Sequence, residues 1–177
     1  MSKSPVKAIT QAYLEKVAMR YLERYSASTA SLRRVLLRRV EGAVRLGLSD
    51  GVAEALMVEP LILRLQAMGL LDDFRYAEGK AASLLGRGRS MRAIRHYLQD
   101  RGVAAENIDP VLSGLAAEDE EGSPDLQAAR NYARKRRLGP HRPGSERSLH
   151  RLRDLAALGR AGFSWAVAQA VIDAEEE

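Results

Sequence analysis

Residues 86–102 read GRGRSMRAIRHYLQDRG. Ile94 and Leu98 lie one helical turn apart in this stretch, Ser90 precedes them as a candidate N-cap, and Gly102 follows as a helix-stop residue. Five of the seventeen residues are arginine and one is acidic. The stretch therefore predicts a basic amphipathic helix, which buries an apolar face and presents arginines to a negatively charged partner.

The same spacing occurs nearer the start of the chain. Two serines are each followed by an apolar residue four positions later, an arginine after five, a leucine after eight and an arginine after eleven. The first series is Ser28, Leu32, Arg33, Leu36 and Arg39, and the second is Ser90, Ile94, Arg95, Leu98 and Arg101. A shorter apolar segment follows the glycine in RGVAAENIDPVL and again in AGFSWAVAQAVI. The repeated unit is thus two helices and a shorter third helix. Such a unit cannot bury its apolar face alone, so neighbouring units must stack.

Helical periodicity continues elsewhere, for instance at Leu149, Leu152, Leu155 and Leu158, and strand patterns are weak. The sequence predicts an all-α fold of three tandem three-helix repeats, stacked into an elongated, curved molecule. The predicted repeats are 8–68, 69–116 and 124–175, with the polar linker AAEDEEGSPD before the third. Residues 40–66 are longer than the pattern requires.

Residues 40–66 predict an extended helix, a turn at residues 49–51, and a second helix. Pro60 lies within that second helical segment. It either breaks or kinks the helix, because proline lacks an N–H donor, or it begins a separate helix.

Charge and composition exclude several classes. The net charge is +5, and the stretch from Arg130 to Arg160 holds ten basic residues against two acids. This favours a nucleic acid or an acidic protein surface as partner. The chain has no cysteine, no apolar run long enough for a membrane span and no signal-peptide pattern, so a cytoplasmic protein is expected.

No constellation of catalytic residues is present. Asp72 and Asp73 are interpreted as an N-cap and a first-turn acid, and the three histidines lack metal-ligand spacing. GRGRS lacks the spacing of a phosphate-binding loop. Tyr76 and Trp165 are expected to be buried. The sequence therefore predicts a non-enzymatic protein with no metal site and no cofactor, and nothing in it requires a dimer, so a monomer is expected.

Residues 69–103, GLLDDFRYAEGKAASLLGRGRSMRAIRHYLQDRGV, resemble the central signature of the RecX family of bacterial recombination regulators. The signature residues are Asp72, Asp73, Arg75, Tyr76, Ile94, Leu98 and Gly102. RKRRLGPHRP with AGFSWAVAQAVI resembles the family's third repeat, and AMRYLERYSASTASLRRVLLRR its first. Residues 40–66 depart from the family pattern, in which the third helix is short.

The resemblance implies a cytoplasmic protein that binds the RecA–DNA filament and inhibits RecA's ATPase, strand-exchange and co-protease activities in recombination, DNA repair and the SOS response. It implies neither catalysis nor a cofactor. The alternative is a helix-turn-helix transcriptional regulator that binds promoter DNA. Against it, the basic residues recur over three units, and those helices carry little Asn or Gln for adenine readout.

Arginine dominates the basic residues, and its planar fork pairs with carboxylate and phosphate. The predicted face that binds RecA, or DNA without sequence preference, consists of Arg33, Arg34, Arg38, Arg87, Arg89, Arg92, Arg95, Arg134, Arg136, Arg137, Arg147 and Arg151.

Overall fold

The computed structural model describes residues 9–117 and 123–175, and all regular structure in these residues is helical. The helices are α1 (Gln11–Leu22), α2 (Thr29–Arg45), α3 (Val52–Leu56), α4 (Val58–Ala67), α5 (Asp73–Gly86), α6 (Met91–Asp100), α7 (Ala105–Ala117), α8 (Pro124–Arg136), α9 (Gly144–Arg160) and α10 (Trp165–Ile172), with a 3-10 turn at Gly139–His141. The all-α prediction is confirmed. Residue 8 and most of the predicted acidic linker, residues 118–122, lie outside the described residues.

Tertiary contacts divide the chain into two compact units. Unit 1 comprises the described residues up to Tyr76 together with Arg101–Val103. Unit 2 comprises Ala77–Asp100 and the described residues from Ala104 onwards. The residue limits of the three repeats remain a prediction.

The core of unit 1 gathers leucine-rich faces of α1, α2 and α4. Leu14, Leu32, Leu36 and Ile62 are fully buried. The α2 helix continues beyond Arg39 to Arg45, because Val40 and Ala43 extend the buried stripe by another turn.

Pro60 explains the interruption between α3 and α4. The two helices meet at Met57, and Pro60 is the third residue of α4. Proline has no N–H to donate to the carbonyl of Leu56, and its ring conflicts with that carbonyl, so a continuous helix is broken there. The predicted turn before α3 is present, with Gly51 in the left-handed region at φ +81°.

Unit 2 has two apolar groups. In α6 and α7, Ile94, Leu98 and Ile108 are fully buried. A second cluster combines the alanine face of α8 with Leu155, Leu158 and apolar residues of α10. Alanines on α8 leave room for the neighbouring helices to approach closely.

The predicted leucine stripe of α9 is only half buried. Leu155 and Leu158 are buried, whereas Leu149 and Leu152 are 78% and 74% exposed. Successive residues are about 100° apart around a helix, so each spacing of three drifts by about 60°. Four residues at that spacing spread over half the circumference, which places Leu149 opposite Leu158. The expected burial of Trp165 is also wrong, because this first residue of α10 is 60% exposed.

Unit 1 contains a capping joint, formed by Ser28, Thr29, Asp73 and the Arg101–Gly102 pair. The Ser28 hydroxyl accepts the N–H of Ser31 at 3.2 Å and donates to the Arg101 carbonyl at 2.6 Å. The Thr29 N–H donates to an Asp73 carboxylate oxygen at 2.7 Å. Asp73 thus satisfies a donor at the start of α2, which the sequence did not predict.

Unit 2 repeats the capping joint with different residues. The Ser90 hydroxyl accepts the N–H of Ala93 at 3.2 Å and donates to the Ala161 carbonyl at 2.9 Å. The Met91 N–H donates to Asp125 at 2.7 Å. The carboxylate lies 34 residues after its donor here and 44 residues after it in unit 1, so the additional length falls in the segment that holds residues 40–66.

The glycine of the unit 1 capping joint makes a test possible. Gly102 has φ +75°, and a Cβ there would lie 2.4 Å from the Cβ of Ala30. We expect Gly102→Ala to lower the free energy of unfolding by about 2–4 kcal/mol, since left-handed strain and overpacking add. Urea unfolding measures the loss. Gly69→Ala is the control, because Gly69 has φ +69° with nothing within 4 Å of the added Cβ. Equal losses in both variants would show that the close approach contributes nothing.

Candidate binding surface

The family-signature residues of the second repeat are mainly structural. Asp72 accepts the N–H of Arg75 at 3.0 Å and so caps α5, as predicted. Asp73 belongs to the capping joint of unit 1. Tyr76 is 5% exposed, and Ile94 and Leu98 are fully buried. The Arg75 side chain is 82% exposed and lies 3.6 Å from an Asp72 oxygen.

Three of the predicted arginines form ion pairs with an acid on, or just after, a later helix of the same unit. Arg33 pairs with Glu59 through two hydrogen bonds of 2.8 Å. Arg151 pairs with Asp173 at 2.7 and 2.6 Å, and Arg95 pairs with Asp109. These hydrogen bonds lower the pKa of Glu59 and that of Asp173. Exposed pairs of this kind contribute about 0–1 kcal/mol, so a stronger anionic partner can displace them.

Other predicted arginines bind the protein itself. Arg34, Arg38 and Arg147 donate hydrogen bonds to the backbone carbonyls of Ala30, Arg34 and Ala174. Arg134 donates to the Asn131 side chain, and the Arg136 guanidinium lies over the Tyr132 ring. Arg137 ends α8 in the left-handed region at φ 53°. Such contacts hold long side chains against their helices and still leave several donors on each guanidinium.

Arg87, Arg89 and Arg92 differ from this group. Their guanidinium groups are exposed and make no hydrogen bond or ion pair with the described residues. The turn that carries Arg87 and Arg89 is held by packing, because Gly88 has φ +84° and a Cβ there would lie 2.9 Å from the Tyr132 nitrogen. Lys135 also donates to the Arg87 carbonyl at 3.0 Å. These three arginines are the part of the predicted face best placed to bind an external anion.

Sequence reasoning missed a buried ion pair in unit 2. Asp154 is 1% exposed and accepts two hydrogen bonds from Arg142, at 2.7 and 2.8 Å, and one from the Gly139 N–H at 2.9 Å. Burial acts to raise the pKa of Asp154, but these donors outweigh it and the pKa is lowered. An acid directly before Leu155, inside an apolar stripe, is the signal that could have revealed it.

Unit 2 also carries a polar groove of about 490 Å³. Its lining includes Gln127, Arg130, Asn131 and Arg134 of α8, with His141 from the 3-10 turn and Glu175. Arg130 and Arg134 lie one helical turn apart and are both exposed. Of these residues only Arg134 belongs to the face predicted from the sequence.

Over residues 9–117 and 123–175, no three His, Cys, Asp or Glu side chains gather as ligands for a metal ion. In the same ranges, no helix combines the length and the apolar character that a membrane crossing needs.

The all-helical fold, in which the same capping joint occurs twice, places the chain among the helical-repeat proteins. Residues 72–112 match the family model described as RecX, second three-helix domain. The chain is 44% identical over 173 residues to the Regulatory protein RecX of Myxococcus xanthus, covering 97% of this chain and 89% of that one. The chain therefore belongs to the RecX family, as the signature in residues 69–103 predicted.

More distant relatives agree with this assignment. The Regulatory protein RecX of Halorhodospira halophila is 34% identical over 120 residues, which is 68% of this chain and 69% of the relative. A crystal structure of regulatory protein RecX superposes with a TM-score of 0.61, over 93% of this chain and 72% of that one. At 20% identity, that likeness supports the fold alone.

Proposed function

We propose that the protein is a non-enzymatic regulator that binds the RecA–DNA filament through its basic helical faces and inhibits RecA's ATPase, strand-exchange and co-protease activities. It acts in the cytoplasm, where that filament forms, in recombination, DNA repair and the SOS response. Its relatives named Regulatory protein RecX support the regulatory role. The observation that carries the binding surface is the set of Arg87, Arg89 and Arg92 around α6, which are exposed and have no ion-pair partner among the described residues.

The arrangement favours contacts to phosphate and carboxylate groups over the reading of bases. Arg87 and Arg89 lie on the turn before α6, and Arg92 lies in its first turn. Guanidinium groups in such positions bind anions without sequence preference, and binding then weakens steeply with salt. Within unit 2, the ion-paired arginines Arg95 and Arg151 become available when the partner displaces their acids.

The primary experiment titrates the protein into RecA that is hydrolysing ATP on single-stranded DNA, at two salt concentrations. Inhibition at substoichiometric amounts, weaker at the higher salt, is the expected result. Absence of inhibition at stoichiometric excess, with folded protein and RecA from the same species, contradicts the proposal. Binding to one promoter sequence with half-site spacing would instead support the transcriptional regulator.

Two arginine variants locate the surface. We expect Arg89→Ala combined with Arg92→Ala to weaken affinity for the RecA–DNA filament about tenfold, because two exposed charge contacts of up to about 1 kcal/mol each are lost. Filament affinity is measured by fluorescence anisotropy of the labelled DNA within the RecA filament.

The matched control for these variants is Arg20→Ala combined with Arg24→Ala, which removes the same charge. Arg20 and Arg24 are exposed and lie at the end of α1 and just after it, outside the predicted face. The control is expected to change affinity less than twofold. If the two double variants weaken binding equally, the effect comes from net charge, and the assignment to α6 is wrong.

A further inference from the structure

The segment Asp173–Glu175, termed here the acidic segment, contacts the basic face of unit 2 at several points. Asp173 takes both hydrogen bonds of the Arg151 fork, at 2.7 and 2.6 Å. The carbonyl of Ala174 accepts a hydrogen bond from Arg147. Three consecutive residues therefore include partners of two arginines that the sequence predicted as binding residues.

Glu175 extends this relation to the polar groove. It lines the groove of about 490 Å³ that Arg130 and Arg134 line from α8. His141 contributes a further nitrogen-bearing side chain. The arginine and histidine side chains of the groove are suited to an anion, and the carboxylate of Glu175 is the acid that the chain itself supplies there.

Asp173 and Glu175 do not stabilise the end of α10 itself. Asp173 is the C-cap of α10, and Glu175 follows two residues later. Carboxylates are unfavourable beside the negative end of a helix, where lysine or arginine would be favoured. The arginines of unit 2 offset that cost, and the hydrogen bonds from Arg151 lower the pKa of Asp173, which keeps it ionised.

We propose that the acidic segment is an intramolecular competitor, which the phosphodiester backbone of DNA displaces from Arg147, Arg151 and the groove of Arg130 and Arg134. Arginine pairs with carboxylate and with phosphate through the same planar fork, so the segment and a phosphate cannot occupy one guanidinium in the same way. The inference rests on the proposed function and adds a regulatory element to its basic face. Because the internal ion pairs are weak, a highly charged partner displaces them, whereas a weakly charged one does not.

The test neutralises the acidic segment. Asp173→Asn combined with Glu175→Gln removes two negative charges and keeps the side-chain shapes. We expect this variant to bind a fluorescein-labelled oligothymidylate about 3–10-fold more tightly than the wild type at low salt, measured by anisotropy. The conservative variant Asp173→Glu with Glu175→Asp retains the charges and is expected to bind as the wild type does.

The control variant is Glu78→Gln combined with Glu106→Gln. Both acids are exposed, lie in unit 2 on α5 and α7, and form no ion pair with the described residues. The control carries the same change in net charge and is expected to alter affinity less than twofold. Thermal melting of each variant verifies that it is folded.

Two results overturn the proposal. In the first, neutralising the acidic segment strengthens DNA binding no more than the control does. In the second, no folded variant binds the oligonucleotide at the lowest salt. Inhibition of RecA's ATPase, measured in parallel, separates this inference from the proposed function. Tighter DNA binding by the neutralised variant without RecA inhibition by any variant supports the competitor and contradicts the RecA role. Inhibition of RecA's ATPase by the wild type, with no effect of neutralisation on DNA binding, contradicts the competitor and supports the RecA role.

Discussion

Ile94→Ala will lower the free energy of unfolding by about 2–5 kcal/mol. Ile94 is fully buried on α6, and Leu98 and Ile108 nearby in the chain are fully buried as well. Removing three methyl and methylene carbons from a closed site loses their transfer free energy and leaves a cavity that the helices fill only in part. Urea unfolding of the full chain, followed by circular dichroism, measures the loss.

Two controls accompany this prediction. Ile94→Val deletes one carbon and should cost about 0.5–1.5 kcal/mol. Leu149→Ala removes a leucine that is 78% exposed and should change stability by about 0.5 kcal/mol or less. An unchanged unfolding curve for Ile94→Ala would show that the buried face of α6 has been assigned wrongly.

Asp154→Ala is expected to lower the free energy of unfolding by about 3–5 kcal/mol. The substitution leaves Arg142, whose side chain is 20% exposed, without its ion-pair partner. It also removes the acceptor of the Gly139 N–H, and Gly139 is buried. An uncompensated charge and an unsatisfied buried donor add their penalties. Urea unfolding at pH 7 measures the loss of stability. The substitution is expected to loosen the 3-10 turn at Gly139–His141 first.

The pH dependence distinguishes the charge of Asp154 from its shape. Its pKa is lower in the folded chain than the ordinary value, so the folded state holds fewer protons on this group than the unfolded state. The stability it contributes is present above the unfolded pKa of about 3.9 and is lost as pH falls through the folded pKa. The difference between the wild type and Asp154→Asn should therefore be large at pH 7 and shrink in acid. A difference that stays constant with pH would contradict the ion pair.

Local patterns in the sequence predicted much of the fold. Ser28 and Ser90 cap their helices, and Gly102, in the left-handed region, follows the basic segment of the second repeat, as the spacing indicated. These features depend on residues within one or two turns, so a sequence displays them directly. The length of α2 depends on the burial of Val40 and Ala43 in the folded core, which a local pattern does not display.

For the predicted binding face, too, the sequence displayed one part and the fold decided another. Its arginines were visible in the sequence, but their partners were not: Glu59 lies 26 residues from Arg33, Asp109 lies 14 from Arg95, and Asp173 lies 22 from Arg151. The fold therefore pairs some of the predicted arginines with an internal acid, and holds others against backbone carbonyls or neighbouring side chains. Among the arginines predicted as binding residues, Arg87, Arg89 and Arg92 have no acid to displace within the described residues, so we expect them to bind an external anion most readily.

The sequence by itself determined that the chain is helical, where its serine caps and glycine stops lie, and that it belongs to the RecX family. Each of these depends on neighbouring residues or on an ordered set of residue types. The tertiary structure decided that Asp73 caps α2, that Asp154 is buried against Arg142, and that the acidic segment meets the basic face. The reason is physical: such contacts join residues far apart in the chain, and only packing brings their charges and donors within hydrogen-bonding distance.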